Sequence, residues 1–111
     1  LKVNIVGTNN LSTTKFASIS IEKTTTFQGS GTLKVKGNSY GISVGYDNVD
    51  IIIRDCKMYI EGEWGIDGFV RNTTLTIINA NIEINSLKEV ISRMDNLSPA
   101  LRHHRARRSH I

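Results

Sequence analysis

The segments YGISVGYDN (Tyr40–Asn48) and WGIDGFVRN (Trp64–Asn72) each open with an aromatic residue, Gly and Ile, and each close with Asn six residues after the Ile. They lie 24 residues apart, and the match extends beyond them. Ile51 and Ile53 map at the same offset to Leu75 and Ile77. Leu33 and Val35 map at 25 to Met58 and Ile60, and those map at 24 to Ile82 and Ile84. The offset also carries Ile66 to Val90 and Asn72 to Asn96. Upstream the spacing loosens: Ile5 to Val35 is 30, Ile19 to Ile42 is 23, and Phe27 to Ile53 is 26. Self-similarity with a period between about 20 and 50 residues marks a solenoid, in which each repeat buries its apolar face only against its neighbours.

The pattern inside the repeat selects the kind of solenoid. TTTFQ, DIIIR and TLTII form one series of short alternating segments; TLKVK, KMYIE and NIEIN form a second; SISIE, GISVG, GIDGF and VISRM form a third. β-Branched residues dominate them, and Gly, Asn, Asp and Ser lie between, which is strand-and-turn chemistry. Three short strands per repeat of about 24 residues, over about four repeats, predict an all-β parallel β-helix. Alternation assigns Leu33, Val35, Ile42, Ile51, Ile53, Met58, Ile60, Ile66, Leu75, Ile77, Ile82, Ile84 and Val90 to the interior. Lys34, Arg54, Lys57, Thr76 and Glu83 fall on the wet face. Gly41 and Gly65 are expected where the chain needs positive φ or a close approach of backbones. Asn48 and Asn72 are expected to turn the chain into the next coil through the left-handed region and to stack on one another.

The formal charge of +4 is a property of the C-terminus. Four of the 14 basic residues (Arg102, Arg105, Arg107 and Arg108) and all three histidines follow Leu101. The rest of the chain is neutral and offers no basic stripe to neutralise phosphates, which argues against a nucleic-acid partner. Pro99 interrupts the strand due to follow Leu97. Residues 1–97 therefore read as one β-helix domain. Residues 98–111 read either as sequence foreign to the solenoid or as an authentic disordered basic tail. No apolar run approaches the ~20 residues of a membrane-spanning helix. A single cysteine, Cys56, leaves no internal disulfide. The chain starts at Leu1 without a leader, so it reads as a piece of a longer solenoid whose open ends offer a route to oligomers.

GSGTLKVKGNSYGISV, VDIIIRDCKMYIEGEWGIDG and TLTIINANIEI resemble a bacterial family of small right-handed parallel β-helix, pectate-lyase-like proteins. Over about Val3 to Asn96 the resemblance implies an exported or cell-surface protein that faces polysaccharide. Its motifs specify architecture more than activity.

The chemistry is weighed on that scaffold. Glycoside hydrolysis needs two carboxylates flanking the scissile bond, and lyase chemistry needs a calcium site and a base. The outward candidates are Asp50, Asp55, Asp67, Arg54, Lys57 and Arg71. By the repeat, Asp50 faces Thr74 and Asp55 faces Asn79, so no two carboxylates stack on neighbouring coils, and Asp55 and Asn79 read as turn residues. Asp47, Asp50 and Asp67 are the candidates for calcium, and they fall on different corners; no other cofactor is expected. Cys56 aligns with Ala80 and reads as a small buried residue, with no histidine in the body to activate it. The aromatics offer a binding site without catalysis. Tyr40 and Trp64 precede the corner glycine in successive coils, with Asn38, Ser39 and Glu63 beside them. Tyr46, Tyr59 and Phe69 extend the set. Outward-facing rings would form a flat platform for the C–H face of a sugar; packed rings would cover the coil corner instead. The expected function is a non-catalytic carbohydrate-binding or adhesin module. The alternatives are a fragment of a polysaccharide lyase or glycoside hydrolase, and a structural stalk.

Overall fold

The computed structural model describes residues 1–68, 70–88, 91–92, 96–97 and 108–110. These residues contain strands and turns and no helix, so no helix is long and apolar enough to cross a membrane. Three sheets run the length of a parallel β-solenoid of about four turns. In the first, β1 (Lys2–Asn4), β4 (Thr25–Gln28), β7 (Asp50–Arg54), β10 (Thr74–Ile78) and β13 (Asn96–Leu97) lie side by side. The second stacks β2 (Thr8–Ser12), β5 (Thr32–Lys36), β8 (Lys57–Gly62) and β11 (Asn81–Ser86), with β14 (Arg108–His110) beyond β11. The third holds β3 (Ala17–Ile21), β6 (Tyr40–Val44), β9 (Trp64–Gly68) and β12 (Ile91–Ser92).

Register follows the repeat through the middle coils. Tyr40 pairs with Trp64, Ile51 with Leu75, Leu33 with Met58 and Met58 with Ile82. Each pairing places like residues over one another, so Ile42, Ile51, Ile53, Met58, Ile66, Leu75, Ile82 and Ile84 have no solvent exposure. Ile77 is half-buried and packs against this core. The loosened spacings at Ile19–Ile42 and Phe27–Ile53 are also true pairings.

At the ends the register departs from the repeat. Val35 pairs with Leu11 and not with Ile5. Ile5 lies beyond β1 and donates its N–H to the Gln28 carbonyl, one sheet away from the position expected for it. Ile66 pairs with Ile91, an offset of 25, and Val90 lies outside the described residues. Asn96 pairs with Thr74 and not with Asn72. One residue of slip exchanges the two faces of a strand, so the last coil must shorten or lengthen its turn to keep an Ile inside. Within the segment beyond residue 97, β14 runs antiparallel to β11, with Ile84 opposite Ser109.

The turns explain two repeated residue types. Asn48, Asp55, Asn72 and Asn79 all have positive φ, between 48° and 61°. A short polar side chain tolerates that conformation, and here it also bonds across the coils: Asn72 Nδ2 donates to Asn48 Oδ1 at 2.9 Å, and Asn79 Nδ2 to Asp55 Oδ1 at 3.1 Å. Gly41 is required for a different reason. It lies within β6, and a Cβ there would collide with Ile60 Cγ2 and stand 2.9 Å from the Gly65 carbonyl oxygen. Close approach, not positive φ, is the demand at this corner.

Candidate functional site

The aromatic corner is a stack four residues deep. Phe16, Tyr40, Trp64 and Lys88 stand 24 residues apart on successive coils. Tyr40 and Trp64 are stacked with centroids 5.2 Å apart and planes inclined by 28°. Phe16 meets Tyr40 edge-on at 4.7 Å. Lys88 Nζ lies 4.7 Å from the Trp64 centroid, on the coil beyond, and pairs with Glu63 at 3.1 Å. Stacking along the solenoid axis turns the ring faces toward neighbouring coils. Tyr40 is consequently 9% exposed, and Trp64 is covered by Tyr40 from one coil and by Lys88 from the next. What reaches solvent is the rim of the stack. Phe16 carried no strand pattern of its own in the sequence; only its offset from Tyr40 marks it as the first member.

The other candidates separate. Tyr46 is exposed in the turn between β6 and β7, away from the stack. Asn38 and Glu63 line a groove of about 340 Å³ at the corner between the second and third sheets. This groove shares Lys36, Glu61 and Asn85 with a neighbouring one of about 410 Å³ on the outer face of the second sheet. Phe69 lies outside the described residues.

That outer face is built by alternation. Its three rows are Thr8–Thr32–Lys57–Asn81, Asn10–Lys34–Tyr59–Glu83 and Ser12–Lys36–Glu61–Asn85, each residue paired with the next across the ladder. Lys36 pairs with Glu61 at 3.1 Å, and Asn85 Nδ2 donates to Glu61 Oε1 at 3.3 Å. Tyr59 stands exposed in the middle row, with Lys34 Nζ 5.7 Å from its ring centroid. Sequence reasoning placed Tyr59 only at the margin of the aromatic corner. The signal that locates it is its even spacing from Lys57 and Glu61, which sets it on the wet face of one strand.

The acidic residues are distributed. Asp47 Oδ1 accepts the Arg71 N–H at 2.9 Å, and Asp50 begins β7, its N–H donating to Thr24 Oγ1 at 3.1 Å. Asp67, expected to face outward, is instead fully buried, because β9 is buried on both faces from Gly65 to Gly68. Among the described residues no three His, Cys, Asp or Glu side chains gather as a metal site requires, the calcium candidates included. Asp55 accepts from Asn79 and from Arg54 Nε, which together hold its carboxyl below the usual range. Burial, with the Asp55 charge adding to it, pushes the Cys56 thiol up.

These features define a parallel β-solenoid whose second sheet carries rows of polar residues on its outer face. No protein-family model matches the chain, and comparison with curated proteins and with solved structures returns no match.

Proposed function

We propose that this is a non-catalytic saccharide-binding, adhesin-type module of an exported bacterial protein, and that it binds along the outer face of the second sheet. The observation that carries this reading is the continuity of the two grooves around Lys36, Glu61 and Asn85. Tyr59, Asn10, Asn85, Asn38 and Glu63 line these two grooves, which together form one track. A polysaccharide asks for such a track: an aromatic ring for the apolar C–H face of one sugar, and amides, carboxylates and ammonium groups for the hydroxyls of its neighbours. Tyr59 takes the part first expected of Tyr40 and Trp64, because its ring stands on the surface while theirs are spent on each other.

Retention on a panel of soluble and insoluble polysaccharides tests the proposal. Tyr59→Ala is expected to lower retention at least tenfold, with Trp64→Ala neutral below its melting temperature. No retained glycan, or retention that depends on Trp64 and ignores Tyr59, overturns it. A second reading, a structural spacer, is favoured by the Tyr40–Trp64–Lys88 packing, which stiffens a corner without presenting a ligand surface. It predicts no glycan binding and full sensitivity of stability to Trp64.

A further inference from the structure

Charge is unevenly matched on the outer face of the second sheet. In one row Lys36 pairs with Glu61 at 3.1 Å, and Asn85 donates to the same carboxylate at 3.3 Å. In the other two rows the lysines lack such a match: among the described residues neither Lys34 nor Lys57 forms an ion pair. Both line a further groove of about 580 Å³ with Thr8, Thr32 and Tyr59, and among the described residues its lining holds no carboxylate. That volume lies within the ~300–1,000 Å³ of small-molecule sites. Glu83 is paired with Tyr59 from the opposite side, on β11. The groove is centred on β5 and β8, each with a neighbouring strand on both sides. Lys57 stands across the ladder from Thr32, and Lys34 from Tyr59. The lysines are thus diagonal neighbours, about 7–8 Å apart at the backbone, and their flexible stems reach a common point. Two ammonium groups at that range repel, and an anion between them turns the repulsion into attraction. Lys34 Nζ, 5.7 Å from the Tyr59 centroid, sets that point beside the ring.

We infer that this groove takes a sugar bearing a tetrahedral anionic ester, sulfate or phosphate, with the sugar ring against Tyr59. The inference rests on the saccharide reading and adds the class of saccharide. The donors decide the shape of the anion. The three rows of this face contain lysines and no arginine. A guanidinium fork matches a planar carboxylate through parallel bonds, whereas an ammonium is a point charge with rotatable donors. Beside the ammonium groups stand the hydroxyls of Thr8 and Thr32, each with a proton to donate. Donors approaching from separate directions suit oxygens arranged as a tetrahedron better than the coplanar oxygens of a carboxylate.

Dextran and its sulfate, phosphate and carboxymethyl derivatives at equal substitution test it, with the 111-residue chain at about 0.15 M salt, where exposed charges are screened beyond a few ångströms. The wild type is expected to bind the sulfate or the phosphate at least tenfold more tightly than the carboxymethyl form, and the better retained ester identifies the group. Lys34→Gln with Lys57→Gln is expected to weaken that binding at least tenfold. Lys15→Gln with Lys23→Gln removes the same charge from turns outside the groove and is expected to change it less than twofold. All four lysines are exposed, and circular dichroism checks that both variants fold. Equal retention of the carboxymethyl form, an equal loss in both variants, or binding that survives the groove variant and so belongs to the basic residues after Leu101 overturns the inference. If any of these occurs while a neutral glycan is retained through Tyr59, the saccharide reading stands without it; if no glycan of either kind is retained, both fall.

Discussion

Trp64 lies on Tyr40 with ring centroids 5.2 Å apart, and Lys88 closes over it at 4.7 Å. The Trp64 ring is thereby packed between an aromatic neighbour and a cation. Aromatic pairs contribute about 0.5–1.5 kcal/mol beyond burial, and exposed cation–π contacts about 0.5–1 kcal/mol. Trp64→Ala is therefore expected to cost about 1–3 kcal/mol in urea denaturation. Trp64→Leu should recover part of that loss by keeping apolar cover on the corner. A neutral Trp64→Ala would refute the structural role of the stack.

Ile53 sits between coils with no exposure, facing Phe27 on one side and Ile77 on the other. Ile53→Asp strands a charge there at a cost of several kcal/mol, and a solenoid of so few coils cannot spread that loss. The variant is expected to show no cooperative thermal transition by circular dichroism.

Gly41→Ala isolates the close approach at the corner. The added methyl meets Ile60 Cγ2 and the Gly65 carbonyl oxygen, and backbone cannot rotate away as a side chain can. A loss of about 1–3 kcal/mol is expected in the same denaturation assay. A tolerated alanine would show that the coils can separate there at little cost.

Asp55 provides the pH dependence. Hydrogen bonds from Asn79 and Arg54 favour its charged form, so its folded pKa lies below its unfolded one. Its contribution is complete above the unfolded value of about 3.9 and is lost as pH falls through the folded value. Asp55→Asn keeps a side chain that tolerates positive φ but has no charge to lose. Urea midpoints measured from neutral pH downward should fall more steeply for the wild type than for Asp55→Asn below about pH 4. Parallel curves would remove Asp55 from the acid response.

Cys56 is 3% exposed, and its thiol is shifted away from the reactive thiolate. Alkylation by iodoacetamide at neutral pH is expected only on the unfolding timescale, and to become immediate in denaturant.

Local chemistry determined much of this protein. Residues such as Ile51, Ile53, Met58 and Ile82 recur at a fixed offset because every coil must present the same side chain to the same interior row, and that demand is written into each repeat separately. The left-handed turns at Asn48 and Asn72 were legible for the same reason, their conformation being a property of one residue, whereas Asp55 and Asn79 were legible as turn residues and only the structure showed their positive φ. What only the tertiary structure decided depends on contacts between coils. Whether Tyr40 and Trp64 offer their faces to a sugar or to each other turns on side-chain direction along the solenoid axis, which a repeat cannot encode. The pairing of Ile66 with Ile91 depends on how many residues the last turn absorbs, and two adjacent apolar residues, Val90 and Ile91, satisfy the pattern equally well in sequence. The edge of β11 is taken by a strand from far along the chain whose composition matches no repeat, because an unpaired edge accepts main chain whatever side chains come with it.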